Sequence, residues 1–145
     1  SLLKIFDTEQ LNAQLSIVGR TQNLKSNNKN INFLGYNQDP VSLIKIYDNH
    51  NIFILPSFTE AHPKVIDESL ARSRPVIIFE EIKHVIQNRK GIFVSKRSAK
   101  SLQETIDLIM KNYADIQDNI VAALVEDTTD TGKVVFVEIP LVVRL

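Results

Sequence analysis

Cysteine and tryptophan are missing from the 145 residues, which include four glycines and one methionine. Without cysteine there is no disulfide framework, no thiol nucleophile and no thiolate metal site, and a cytoplasmic location is the expectation. An excess of either charge is also missing, because 17 Lys and Arg balance 17 Asp and Glu. A nucleic-acid surface needs clustered Lys and Arg on a basic domain, so that class of partner is set aside. No apolar run is long enough to span a bilayer and no charged-then-apolar signal opens the chain, so it reads as soluble. His50 and His84 stand alone, and no His or Asp residues show metal-ligand spacing. Asp127 and Asp130 are too far apart for an Asp-x-Asp element. No metal is therefore expected in the mechanism.

What remains is 43% hydrophobic. A chain of this length and composition buries one core, so a single domain is expected. Leu2, Ile5 and Phe6 share one face of an opening helix that starts in mid-pattern without an initiator Met, which predicts a fragment of a longer protein. Ala13 to Val18 alternates toward a strand that stops at Gly19 and Arg20, and a polar loop runs on to Asn30. A second strand, Ile31 to Leu34, ends at Gly35, Tyr36 and Asn37. Asp39 and Pro40 form an N-cap and first turn for a helix whose apolar face is Val41, Leu43, Ile44 and Tyr47. Ile52 to Leu55 is a third strand, followed by a loop, a helix after Pro63, and a fourth strand over Val76 to Phe79. Glu80 and Glu81 open a short helix, and Gly91 to Val94 is a short strand. Ser98 or Ser101 caps one long helix with Leu102, Ile106, Ile109, Tyr113, Ile116 and Ile120 at helical spacing. Strand and helix alternate almost throughout, which predicts an α/β fold: a doubly wound, Rossmann-like parallel sheet with helices on both faces.

The stretch that organises the rest is P-S-F-T-E-A-H-P-K-V-I-D-E-S-L-A-R-S-R-P-V-I, residues 56–77. The loop leaving its first strand lies at the carboxyl edge of a parallel sheet, where open α/β folds bind ligands. Glu60 and Glu68 stand there with seven residues between them. The stretch resembles the signature of retaining, GT-B type glycosyltransferases (family 4, glycosyl transferases group 1), P-S-x-x-E-G-x-P-x-x-x-x-E-A-x-A-x-G-x-P-V-I. Pro56, Ser57, Glu60, Pro63, Glu68, Ala71, Pro75, Val76 and Ile77 stand where that pattern wants them. Ala61, Ser69 and Ser73 depart from it, small residue for small. L-S-I-V-G, I-N-F-L-G-Y, I-F-I-L-P-S, G-I-F-V and S-L-Q-E-T-I follow the same order, so the resemblance covers residues 1–119.

The resemblance implies that residues 1–119 are the C-terminal, donor-binding half of an enzyme that transfers a sugar from a nucleotide sugar, such as a UDP- or GDP-sugar, with retention and without a metal or further cofactor. It implies Glu68 on the ribose hydroxyls and Glu60, as the catalytic residue, on a hydroxyl of the donor sugar. The loop Ala61, His62, Pro63 and Lys64 would face the diphosphate at a helix N-terminus, where spare N–H groups and the dipole favour an anion, and Ser57 is a further expected donor contact. Gly19 and Arg20, with Tyr36 and Asn37 beside the base, complete the expected donor contacts. Such enzymes hold the acceptor in a separate N-terminal domain and carry a basic Arg and Lys pair upstream. This chain contains neither, so it is expected to bind a donor without transferring it. The parent enzyme would serve polysaccharide or cell-surface glycan assembly, with peripheral membrane association allowed.

Plainer readings stand beside these. Glu68 lies four residues from both Lys64 and Arg72, so it could form exposed helix ion pairs worth about 0.3–0.5 kcal/mol each. Arg20 reads first as a solvated charge, Tyr36 equally as a strand-end core residue, and His62 as a positioning residue or none. A non-catalytic binding or assembly module of the same fold is the alternative function. A signalling receiver domain would need acidic residues where Gly19 and Pro56 stand. Beyond residue 119 the resemblance ends: 127–132 reads as a turn, 134–137 and 141–145 as strands, and the tail 120–145 as a β-rich segment open to self-association.

Overall fold

The computed structural model describes residues 2–8, 11–131 and 143–144. Its elements are α1 (Leu2–Thr8), β1 (Leu15–Val18), β2 (Ile31–Gly35), α2 (Pro40–Asp48), β3 (Phe53–Ile54), α3 (Lys64–Ala71) and β4 (Val76–Phe79), then a 3-10 segment (Glu80–Ile86), β5 (Ile92–Ser95), α4 (Ala99–Lys111), α5 (Tyr113–Thr131) and β6 (Val143–Arg144). The architecture is α/β, with parallel strand pairs flanked by helices. β1 pairs with β2, β3 with β4 and β4 with β5, all parallel.

Local chemistry explains most element ends. The Asp39 side chain accepts from Ser42 N at 2.8 Å and Pro40 occupies the first turn of α2, where its missing N–H costs nothing. Ser98 caps α4 in the same way through Ser101 N. Helix α3 ends in a Schellman turn: Arg74 N bonds to Ser69 O at 3.0 Å and Ser73 N to Leu70 O at 2.8 Å. That closure requires a left-handed residue, which is Ser73 at φ 55°. β4 is buried along its whole length because strands lie on both sides of it, and continuous apolar runs belong in such interior parallel strands.

The core gathers one face of each helix onto these strands. Leu43 and Tyr47 of α2, Ile66 and Leu70 of α3, and Leu102, Ile106 and Ile109 of α4 are buried with Phe53, Ile77 and Phe79. Tyr47 meets Phe53 edge to face, with centroids 6.1 Å apart. Each such side chain contributes roughly 1.5–3 kcal/mol relative to exposure.

Three features differ from the sequence reading. The strands form two three-stranded sheets, β2-β1-β6 and β3-β4-β5, rather than one continuous sheet. β6 runs antiparallel beside β1, Ser16 facing Arg144 and Ile17 facing Val143, and it also touches β3. The single long helix is two: Asn112, at φ −115° and ψ 22°, ends α4, and α5 begins at Tyr113. The break lets the Tyr113 hydroxyl donate to Asn51 O at 2.7 Å and accept from Arg74 Nη1 at 3.2 Å. Finally, α5 continues to Thr131, through most of the stretch read as a turn and across the boundary drawn at residue 119. Once Ile116 and Ile120 anchor a helix, adding Asp or Thr residues costs only a few tenths of a kcal/mol each. The strand expected at 134–137 lies outside the described residues.

Candidate functional site

The loop leaving β3 carries the first glutamate. Ser57 Oγ donates to Glu60 Oε1 at 2.6 Å, and His84 Nε2 donates to the Glu60 carbonyl at 2.7 Å. Arg97, just beyond β5, donates through Nη2 to the carbonyls of Pro56 at 3.1 Å and Ser57 at 2.7 Å. Its Nε donates to Glu81 at 2.8 Å, and its guanidinium lies 3.7 Å from the Phe58 ring centroid and 4.2 Å from that of Phe79. Hydrogen bonds from its own backbone N–H and from Arg97 hold the Glu81 carboxyl below its ordinary range. Neither Arg97 nor His84 was a candidate from the sequence. Their spacing from Glu60 carries no periodic signal, and only the placement of β5 and the 3-10 segment beside the loop brings them in.

The second glutamate stands in a different environment. Glu68, in the middle of α3, is 1% exposed, and neither carboxylate oxygen has a hydrogen-bond partner among the described residues. Burial first, and the charge of Asp67 second, push its carboxyl up to about 7, against an opposing pull from Lys64. The exposed ion pairs open to Glu68 on paper are not formed: Arg72 holds Asp48 instead, Nε to Oδ1 at 2.9 Å and Nη2 to Oδ2 at 2.5 Å. Tyr47 is in the same buried region, its hydroxyl raised above the ordinary phenol value by burial and by the Glu68 charge. Asp67, one residue earlier, takes Arg89 at 2.6 Å and lies 3.6 Å from His62 Nε2. His62 is thus beside a carboxylate at the start of α3, next to exposed Ala61 and Lys64 and buried Pro63.

A separate group forms where β1 and β2 end. Gly19 N donates to Gly35 O at 2.9 Å, with φ of 137° and 74° at the two glycines. Arg20 lies over the Tyr36 ring at 5.9 Å, and Gln38 Nε2 donates to the Tyr36 hydroxyl. Asn37 is occupied in the turn before α2, accepting from Asp39 N at 2.9 Å. The structure therefore assembles Gly19, Arg20, Tyr36 and Asn37 at the carboxyl ends of one sheet and Ser57 and Glu60 at the carboxyl ends of the other.

Among the described residues, cavities open elsewhere. One of about 1070 Å³, lined by Phe6, Asp7, Leu11, Lys25 and Asn28 among others, faces the amino ends of β1 and β2. Smaller ones of about 380 and 290 Å³ flank α5 near Gly91 and Arg89. None of the three is lined by Ser57 or Glu60. Also among the described residues, no helix is long and apolar enough to cross a membrane, and no cluster of three or more His, Asp or Glu side chains could hold a metal ion.

No curated protein and no solved structure matches the sequence at a significant level. A sequence model of the family described as "Glycosyl transferases group 1" matches residues 2–112, more than half of the chain and all of the elements from α1 to α4. The chain belongs to the group 1 glycosyl transferases.

Proposed function

We propose that this chain is the donor-binding, C-terminal half of a retaining GT-B type enzyme of family 4. Its parent transfers a sugar, hexosyl in type, from a nucleotide sugar to a glycan or lipid-linked acceptor in polysaccharide or cell-surface glycan assembly, in the cytoplasm and without a metal. One observation carries the reading. Glu68 is a buried carboxylate whose two oxygens have no hydrogen-bond partner among the described residues, and an unpaired buried acceptor is costly. A ribose diol offers two O–H donors, the complement of what Glu68 lacks.

Glu60 takes the donor sugar in this reading. Ser57 restrains its carboxylate, and its loop lies at the carboxyl edge where nucleotides dock in α/β sheets. The start of α3, with Ala61, His62, Pro63 and Lys64, addresses the diphosphate, and Gly19, Arg20, Tyr36 and Asn37 address the nucleoside. As a donor-binding half, the chain alone binds donor and transfers nothing.

A competing reading, a non-catalytic module of the same fold, draws on the 1% exposure of Glu68, which closes it to a ligand arriving from solvent unless α3 or its preceding loop shifts. Titration by calorimetry with a nucleoside diphosphate and its sugar conjugate separates the two. Glu68→Ala should weaken both ligands about ten- to a hundredfold, the loss of a charge-assisted contact of roughly 1.5–3 kcal/mol. Glu60→Ala should weaken only the sugar conjugate. Equal losses for both ligands in both variants would sink the division of roles, and unchanged affinity in Glu68→Ala would favour the non-catalytic module.

A further inference from the structure

The loop between β3 and α3 is held by side chains that come from far along the chain. The carbonyls of Pro56, Ser57 and Glu60 accept from Arg97 and His84. Arg97 is 17% exposed in its side chain, with its planar face between two rings and its edge shared among two carbonyls and the Glu81 carboxylate. Phe58 is 61% exposed, so its ring is placed over the guanidinium by stacking rather than by burial in the core. Only a planar, multiply donating cation serves all of these contacts at once; a lysine ammonium does not.

We infer that Arg97, assisted by His84, is a positioning residue that sets the backbone of residues 56–60 so that the Ser57 hydroxyl meets Glu60 and the Glu60 carboxylate stands at the carboxyl edge. Arg97 fixes the Ser57 carbonyl at 2.7 Å, and from the same residue Ser57 Oγ reaches Glu60 Oε1 at 2.6 Å. His84 fixes the other end of that turn at the Glu60 carbonyl. The guanidinium thus acts on Glu60 through one intervening residue. What the positioned Glu60 then does rests on the donor-binding reading above; the positioning itself does not.

The test uses the whole chain and its Arg97→Lys variant, with Glu81→Gln as a milder second variant that removes one anchor of the guanidinium. Backbone ¹⁵N relaxation reads the loop directly. In the unmodified chain, residues 57–60 should have order parameters near the rigid value of about 0.85, and in Arg97→Lys they should fall toward about 0.6 while β4 and α3 keep theirs. Glu81→Gln should give a smaller fall in the same residues. Binding is then measured with UDP, GDP, UDP-glucose and GDP-mannose. In Arg97→Lys the nucleotide sugar that the unmodified chain binds should weaken about tenfold, the loss of one charge-assisted contact, while the matching diphosphate keeps its affinity.

Loop order unchanged in Arg97→Lys overturns the inference. So does a loss of order spread evenly over β4 and β5, which would make Arg97 a general fold contact; an equal loss for sugar and diphosphate overturns the donor-sugar role of Glu60. If the unmodified chain binds none of the four ligands, the donor-binding reading fails. The relaxation measurement then decides the role of Arg97 without it.

Discussion

Replacing Glu68 by glutamine removes a charge from the interior and leaves the shape of the side chain in place, so its effect should depend on pH. In the folded chain the carboxyl titrates at about 7, against 4.5 for the free side chain. Between those two values the folded state keeps a proton that the unfolded state has released. Stability is therefore at its full value below about 4.5, falls as pH rises through the window, and levels off above about 7. Each pH unit inside the window removes at most about 1.4 kcal/mol, so the whole interval is worth on the order of 3 kcal/mol.

Glu68→Gln has no such slope. Its stability minus that of the unmodified chain should rise by about 3 kcal/mol from pH 4.5 to pH 8, the variant gaining at alkaline pH. Urea unfolding followed by circular dichroism at pH 5, 6, 7 and 8 provides the measurement. Every group common to the two proteins cancels in the subtraction. The glutamine amide brings two buried donors of its own, which shift every point by the same amount and leave the slope alone. A difference independent of pH, or one that falls with rising pH, would refute the reasoning, because it would mean that the charged carboxylate has a partner in the folded state.

Two further substitutions test the backbone. Gly91 has φ +84°, and a Cβ built on it lies 2.5 Å from Cγ1 and Cδ1 of Ile120 and 3.1 Å from Leu70 Cδ2; Gly91→Ala should destabilise by roughly 1–3 kcal/mol, read as a lower urea midpoint, and an unchanged midpoint would contradict the close approach of Ile120 to Gly91. Ser73 stands left-handed at φ 55° in the Schellman turn, so Ser73→Gly should stabilise by about 0.5–1 kcal/mol and raise the melting temperature, whereas a lower melting temperature would show that the serine side chain offsets its own strain.

The order of strands and helices was legible in the residues themselves because it rests on local rules. Side-chain periodicity marks faces at i+2 or i+3 and i+4, and caps such as Asp39 on Ser42 N act within one turn. The buried run Val76 to Phe79, the helix after Pro63 and the turn at Gly35 follow from the same rules. So does the small-residue position at Ser73, whose left-handed backbone explains why the resembled pattern has glycine there. Partner choice among distant groups is a different matter. Glu68 had Lys64 and Arg72 one turn away, yet the fold brings Asp48 to Arg72 and leaves the glutamate buried. Arg97 reads in the sequence as a basic residue after a strand, and it becomes the support of the Ser57–Glu60 turn only because β5 lies beside β4 in register. The division into two sheets, the strand 143–144 beside β1 and the break at Asn112 depend likewise on which surfaces compete for the same neighbour. A helix or a cap is decided by energies among residues a few positions apart, which the sequence displays directly. A charged side chain far from its partner is decided by the whole packing, which exists only once the chain has folded.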